Sequence, residues 1–322
     1  MKRIILALAI IGVVVAVWSG VWLFAAGQIT QQVELAGNPG NPEIPALTCG
    51  NFSVTGFPFR FDASCDGATI SQGDIAVTLP RLKATALIYR PTHLLAFADG
   101  PIHLSNAFYG TEQEVRFSLL EASLRLDGWQ LQRLSLRGEN IAWYDTLLGD
   151  ILLASGDEAE LHLLDIPTEH NPDAQLASLA FYAETKNADL TTFGVSGGQL
   201  TAEARITNLP DDIRAFGAPG MLQNWQAAGG KLVLEKLKAN DAITMIDMHG
   251  QASLDETGAI SGKIEGMSNQ LAERFAEFVP PEYHSLYFGA RQPDGRYKQT
   301  ITIVKGTVFV GIAPQGTIPP LF

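Results

Sequence analysis

Gly194-Val195-Ser196-Gly197-Gly198 has the G-x-S-x-G spacing of a nucleophile elbow, which holds an acyl-transfer serine on a sharp turn between a strand and a helix. The residues that follow, Gln199 to Thr207, alternate apolar and polar as a strand does, so the string reads as a turn. The neighbouring carboxylates Asp211 and Asp212 could exchange protons, but they follow Pro210 and open a predicted helix, where negative charge suits the positive end of the dipole. The six histidines (His93, His103, His162, His170, His249, His284) show no H-x-H, H-x-x-x-H or H-E-x-x-H spacing. No GxGxxG and no Walker loop occurs, so nothing points to a nucleotide. The sequence therefore assigns no catalytic residue, no metal ligand and no cofactor.

Cys49 and Cys65 are the only cysteines, too few for a multi-cysteine zinc module. Each lies eight residues from Phe57 at the Gly56-Phe57-Pro58 bend. If the flanks pair as a hairpin, the cysteines come opposite one another. In an oxidising compartment they then form a disulfide, worth about 3 kcal/mol for a loop of about 15 residues. A reactive thiol would instead need a cytosolic setting or a Cys-x-x-Cys spacing. Phe52, Phe57, Phe59 and Phe61 cluster here, as seeds of a core or as the lining of a ligand site.

The elements that must carry these residues begin with Ile4–Ala26, 23 residues without a charge. At 1.5 Å per residue that length crosses a hydrocarbon core of about 30 Å. A cleaved signal peptide has a shorter apolar region, and Ala25-Ala26-Gly27 is a mediocre cleavage site, so an uncleaved anchor is expected. Lys2 and Arg3 place a cytoplasmic stub at residues 1–3 by the positive-inside rule and export everything after Gln28. Trp18 and Trp22 lie toward the exported end. Gly12, Ala16 and Gly20 recur at four-residue spacing, which would also let two anchors approach. Residues 28–47, with Pro39, Pro42 and Pro45, read as a tether.

Short alternating segments then recur: Ile75–Leu79, Ser123–Asp127, Arg133–Arg137, Glu160–Leu164, Thr201–Thr207, Lys231–Glu235, Gln299–Ile303 and Thr307–Val310. Alternation marks strands with one wet and one dry face, and this favours an antiparallel sheet. Turn signals at Asp66-Gly67, Asp99-Gly100, Asp127-Gly128, Gly229-Gly230 and Asp294-Gly295 make it a meander. A helix is predicted at about 269–288, with Leu271, Phe275 and Phe278 on one stripe and a break at Pro280-Pro281; a weaker one covers 211–228. The expected fold is mainly β (α+β): a transmembrane helix, then a large curled antiparallel meander. A first β-rich region at 48–195 and a second at 196–322 are expected, divided at the Gly194–Gly198 cluster.

The chain has 322 residues and a net charge of −12. Without Lys2 and Arg3, the 20 basic and 34 acidic residues that remain give −14. That charge argues against nucleic acid and against attraction to anionic headgroups, so any lipid contact is apolar. Only 17% of residues are charged, which suits an exported sheet with an apolar surface.

Three passages together resemble a known family: the apolar N-terminal helix followed by Cys49…Gly56-Phe57-Pro58-Phe59-Arg60…Cys65; Gly250-Gln-Ala-Ser-Leu-Asp-Glu-Thr-Gly258…Gly262-Lys-Ile-Glu-Gly266; and Gly306-Thr-Val-Phe-Val-Gly311…Ile318-Pro-Pro-Leu321. It is a family of proteobacterial, chiefly alphaproteobacterial, envelope proteins defined by a domain of unknown function. The chain also resembles the broader AsmA-type group of inner-membrane-anchored proteins. There, long curled sheets form an apolar trough linked to outer-membrane lipid homeostasis. The chain is far shorter than the bridge-forming members of that group. The resemblance implies a non-enzymatic envelope protein that binds or shields a lipid-like ligand. The alternatives are a scaffold that contacts other envelope proteins, or an envelope hydrolase. If a trough exists, Leu124, Leu126, Leu134, Leu136, Ile301 and Ile303 are the candidates for its apolar face.

Overall fold

The computed structural model describes residues 2–38, 40, 44–275 and 279–322. Lys2–Ala36 forms one helix, α1, long and apolar enough to cross a membrane. Its two hydroxyls are satisfied within the helix, Ser19 Oγ in the apolar part donating to the Val15 carbonyl at 2.8 Å and Thr30 Oγ1 beyond it to that of Ala26 at 3.1 Å. The helix continues past the apolar stretch because Gln28–Ala36 contains neither Pro nor Gly. It stops at Gly37, whose N–H donates back to the Val33 carbonyl at 3.2 Å. Residues 28–36 of the expected tether are thus helical, while its Pro39 and Pro42 lie outside the described residues.

The chain divides into two compact units, Met1–Leu124 with Asn140–Leu153, and Arg125–Glu139 with Ala154–Phe322. In the first, β1 (Ala46–Thr55) and β2 (Arg60–Gln72) form a hairpin. Gly56 opens its tip at φ 101°, and a Cβ there would lie 2.8 Å from the Arg60 carbonyl oxygen, so only glycine fits. β3 (Ile75–Leu87) pairs with β2 along its length. Its other edge is shared: β4 (Arg90–Asp99) pairs with residues 81–87 and β5 (Ile102–Asn106) with residues 75–78. β6 (Thr111–Arg116) follows β5. The core here is Cys65, Ala68 and Leu79, covered by Leu47, Phe52, Leu82 and Ile102. The chain passes between units within β7 (Leu119–Asp127), β8 (Gln130–Asp145) and β9 (Ile151–Asp165).

The second unit is a meander of antiparallel pairs. β10 (Leu176–Leu190) pairs with β9 and with β11 (Val195–Pro210). β12 (Lys231–Asn240), β13 (Met245–Leu254) and β14 (Ile260–Asn269) follow in order. After β15 (Ala290–Arg291) come β16 (Tyr297–Val304), β17 (Thr307–Val310) and β18 (Ala313–Thr317). β16 also pairs with β14. The expected boundary near 195 falls inside this unit, where the chain turns from β10 into β11 at Leu190↔Val195. Alternation holds on β13, with Met245, Asp247, His249 and Gln251 exposed while Ile246, Met248 and Ala252 are half-buried. At Gly250, opposite Ile264 on β14, a Cβ would stand 2.3 Å from the Lys263 carbonyl oxygen, so close strand approach requires glycine there.

Helical structure is brief. The 211–228 candidate resolves into a 3-10 turn Ile213–Ala215, capped by Asp212 accepting from the Arg214 N–H at 2.9 Å, and α2 (Met221–Ala227). The predicted 269–288 helix is α3 (Leu271–Arg274), a 3-10 turn Pro281–Tyr283 and α4 (His284–Tyr287). Pro280 and Pro281 forbid a continuous helix. Phe278 of the predicted stripe lies outside the described residues.

Candidate functional site

One end of the β10–β13 ladder carries a half-open cavity of about 430 Å³. Leu190 and Phe193 come from the end of β10 and the 3-10 turn after it, Val195 and Leu200 from β11, Ile246 from β13, and Leu271 and Phe275 from the α3 segment that closes it. These strand ends converge because the β10–β11 turn and the β12–β13 turn lie at the same end of the ladder, and α3 follows directly from β14 beside them. Phe275 meets Phe193 at 6.5 Å between ring centroids and stacks on Phe288 at 6.3 Å. Behind it Ala272, Phe288 and Tyr297 form a buried cluster that fixes the segment.

The cavity wall contains one ion pair. Arg274 and Asp241 bind through Nη2 and Oδ2, and their side chains are only 10% and 5% exposed. Arg274 Nε donates to Thr244 Oγ1 at 2.8 Å and Nη1 to the Phe193 carbonyl at 3.0 Å. Asp241 Oδ1 accepts the N–H groups of Ile243 at 2.9 Å and Thr244 at 2.6 Å. Burial pushes the Asp241 carboxyl up, but those two N–H groups and the guanidinium outweigh it and hold it below the usual carboxylate range. All three guanidinium nitrogens donate within the protein, so the pair works as a latch tying α3 to the β10–β11 and β12–β13 turns. What the cavity offers a guest is apolar surface.

The residues singled out in the sequence fall elsewhere. Leu124 and Leu126 are half-buried on β7; on β8 Leu134 is half-buried and Leu136 exposed. Ile301 and Ile303 on β16 stand opposite Ile264 and Gly262 on one side and Val310 and Val308 on the other. None of the six lines the cavity. Ser196 is the second residue of β11, which runs on as a strand and not as the helix an elbow requires. Beside it Asp189 Oδ1 accepts the Gly197 N–H at 2.9 Å, which, with the Ser196 hydroxyl, holds that carboxyl low. The histidines make local pairs, His93 with Ser123 at 3.1 Å, His103 with Glu114 at 3.2 Å and His162 with Glu160 at 3.3 Å. His170 meets Asp165 at 2.5 Å, His284 donates to the Val279 carbonyl at 2.9 Å, and His249 lies opposite Glu265. Among the described residues no three His, Cys, Asp or Glu side chains gather as a metal site.

Cys49 and Cys65 form the disulfide, with Cα atoms 5.2 Å apart. They are not opposite one another as expected: Cys49 faces Ala68 and Cys65 faces Phe52. The paired positions of the ladder pass over Gly50 and Gly67, the latter at φ 61°, between the Cys49↔Ala68 and Asn51↔Asp66 pairs. Of the four phenylalanines, Phe52 joins the core and Phe61 stacks on Trp22, whereas Phe57 and Phe59 stay exposed. Leu271 and Phe275 are legible in the sequence as one helical stripe, whereas Leu190, Phe193, Asp241 and Arg274 follow no period that would single them out. The available signal was Asp241-x-x-Thr244, an Asp placed to accept the N–H groups that follow it.

No curated protein and no solved structure matches the chain. The model of a bacterial family described as "Uncharacterized protein conserved in bacteria (DUF2125)" matches residues 22–319, from Trp22 at the sheet-facing part of α1 through the last strand, and the chain belongs to that family.

Proposed function

We propose that this is a single-pass inner-membrane protein, with its N-terminus cytoplasmic and its β-rich part periplasmic, that binds or shields an apolar, lipid-like ligand in envelope maintenance without catalysing a reaction. The observation that carries the reading is the 430 Å³ cavity, walled by Leu190, Phe193, Leu200, Ile246 and Phe275, whose one cation is already neutralised by Asp241. Such a site favours an uncharged acyl chain over an anionic group. Three further features support the setting: the apolar α1 preceded by Lys2 and Arg3, the disulfide, which suits an oxidising compartment, and the resemblance to the AsmA-type group.

The test is photolabelling of the full-length protein in detergent with a diazirine-bearing fatty acid, followed by mapping of the labelled peptides. Label on peptides containing Phe193 or Phe275, lost when Leu200→Trp fills the cavity, is the expected result. Label confined to α1, or unchanged in Leu200→Trp, removes the ligand reading and favours a scaffold acting through other envelope proteins.

A further inference from the structure

The tip of the β1–β2 hairpin meets α1 inside its charge-free stretch. Trp18 Nε1–H donates to the Pro58 carbonyl and Trp22 Nε1–H to that of Arg60, both at 3.1 Å. The Trp22 ring stacks on Phe61 at 5.4 Å, and Phe57 meets it edge-on at 5.6 Å. Further along, a Cβ on Gly37 would lie 3.3 Å from the Leu47 carbonyl oxygen, so α1 runs beside β1 from the hairpin tip toward the start of the strand. Residues 4–17 precede the first of these contacts with the sheet.

Those 14 residues span about 21 Å at 1.5 Å each, against a hydrocarbon core of about 30 Å. Lys2 and Arg3 oppose sliding the helix the other way, because their charges would enter the core. The missing ~9 Å must come from residues 18–23, the stretch against which the hairpin tip is tied. The tip therefore lies at the depth of the membrane. Its surface suits that place: Phe57 is 50% and Phe59 66% exposed. Alongside, the Ile88 N–H donates to the Phe59 carbonyl at 3.0 Å, which sets the β3–β4 turn next to the tip with Tyr89 69% exposed. Arg60, paired with Asp62 at 2.6 Å, and Arg90 are both exposed and flank the three rings, where long cationic side chains can reach up to the headgroups while the rings stay in the apolar layer.

We propose that Phe57, Phe59 and Tyr89 are immersed in the bilayer leaflet that faces the β-rich part, with lipid acyl chains and their interface as the partner. The first unit is then seated on the membrane by its hairpin tips as well as by α1. Aromatic rings at this depth match the interfacial preference of Trp and Tyr. The inference rests on reading α1 as a membrane anchor.

The test uses the full-length protein, its disulfide intact, in vesicles of phosphatidylethanolamine with a minority of phosphatidylglycerol. Spin labels are placed singly by Phe59→Cys and Tyr89→Cys at the tips, Val13→Cys on α1, and Phe108→Cys on the β5–β6 turn, which is 75% exposed at the opposite end of β3. Collision with a water-soluble nickel chelate and with oxygen then gives depth. Expected are nickel collisions several-fold fewer at residues 59 and 89 than at 108, with oxygen collisions raised toward those at 13. A label at 13 in lipid with both tips as nickel-accessible as 108 overturns the immersion while leaving the anchor in place. A label at 13 in water overturns the anchor reading and the immersion with it.

Discussion

At the β1–β2 tip, two indole N–H groups are tied to backbone carbonyls and the rings of Phe57 and Phe59 are left facing outward. At the end of the β10–β13 ladder, Arg274 is tied to Asp241, Thr244 and the Phe193 carbonyl, and apolar side chains line a half-open hollow, with Phe193 and Leu190 exposed at its mouth and Phe275 half-buried. Both regions use side-chain hydrogen bonds to backbone carbonyls to hold an aromatic group against strand ends. They differ in the net cost of losing one partner. A neutral indole that loses its carbonyl forfeits about 0.5–1.5 kcal/mol; a buried carboxylate that loses its guanidinium forfeits about 3–5 kcal/mol. The cavity end is thus the brittle region and the tip the tolerant one.

The largest effect should follow Arg274→Met, which leaves Asp241 buried and unpaired and destabilises the second unit by about 3–5 kcal/mol in chemical denaturation. Asp241→Leu added to it should restore much of the loss, because no buried charge then remains. The pH dependence follows from the sign of the Asp241 shift. Its folded-state carboxyl lies below the usual range, so the stability it lends is complete above the unfolded value of about 3.9 and is lost as pH falls through the lower folded value. Arg274→Met should move that acid loss to higher pH. An unchanged acid transition would show that the N–H groups of Ile243 and Thr244 alone hold the carboxylate.

Next in size is Cys49→Ser. Opening a crosslink of 16 residues' separation should cost about 3 kcal/mol in the first unit. The transition of the second unit, followed by its own probe, should not move. A smaller loss, about 1 kcal/mol, is expected for Trp22→Phe, which keeps the ring stack on Phe61 but deletes the bond to the Arg60 carbonyl. If Trp22→Phe instead matched Arg274→Met, the contrast between tolerant and brittle ends would fail.

The strands, the apolar helix and the disulfide were legible in the sequence because each rests on a local signal: alternation at Lys231–Glu235, absence of charge from Ile4 to Ala26, two cysteines about one hairpin bend. The cavity was not, because its walls come from Leu190, Leu200, Ile246 and Phe275, which no period unites and only strand register brings together. The six alternating residues chosen instead, Leu124 to Ile303, satisfy the one-sided pattern of any strand, and that pattern does not say which dry face is filled by its neighbours. Ile301 illustrates this, flanked by Ile264 and Val310. The seating of Trp18 and Trp22 on residues 58–61 was hidden for a related reason: the helix was expected to end at Ala26 and release a tether, and a helix that continues to Ala36 lies along β1 instead.

The smallest effect on folding belongs to Phe59→Ser. With the ring 66% exposed and its backbone carbonyl still free to accept from Ile88, the change should leave denaturation of the detergent-solubilised protein within about 0.5 kcal/mol of wild type. Burying a Phe side chain is worth roughly 1.5–3 kcal/mol, and at the tip that gain is made against lipid, so it disappears in Phe59→Ser only when a bilayer is present. The comparison to make is therefore between two media. Tip protection from limited proteolysis in vesicles should fall for Phe59→Ser, while the same variant in detergent matches wild type. A cavity change of similar chemistry, Phe275→Ser, should behave in the opposite way, losing stability in both media because its half-buried ring packs against Phe193 and Phe288 and not against lipid. Equal behaviour of the two variants would mean that the outward and inward aromatic clusters meet the same surroundings, and the distinction between them would be lost.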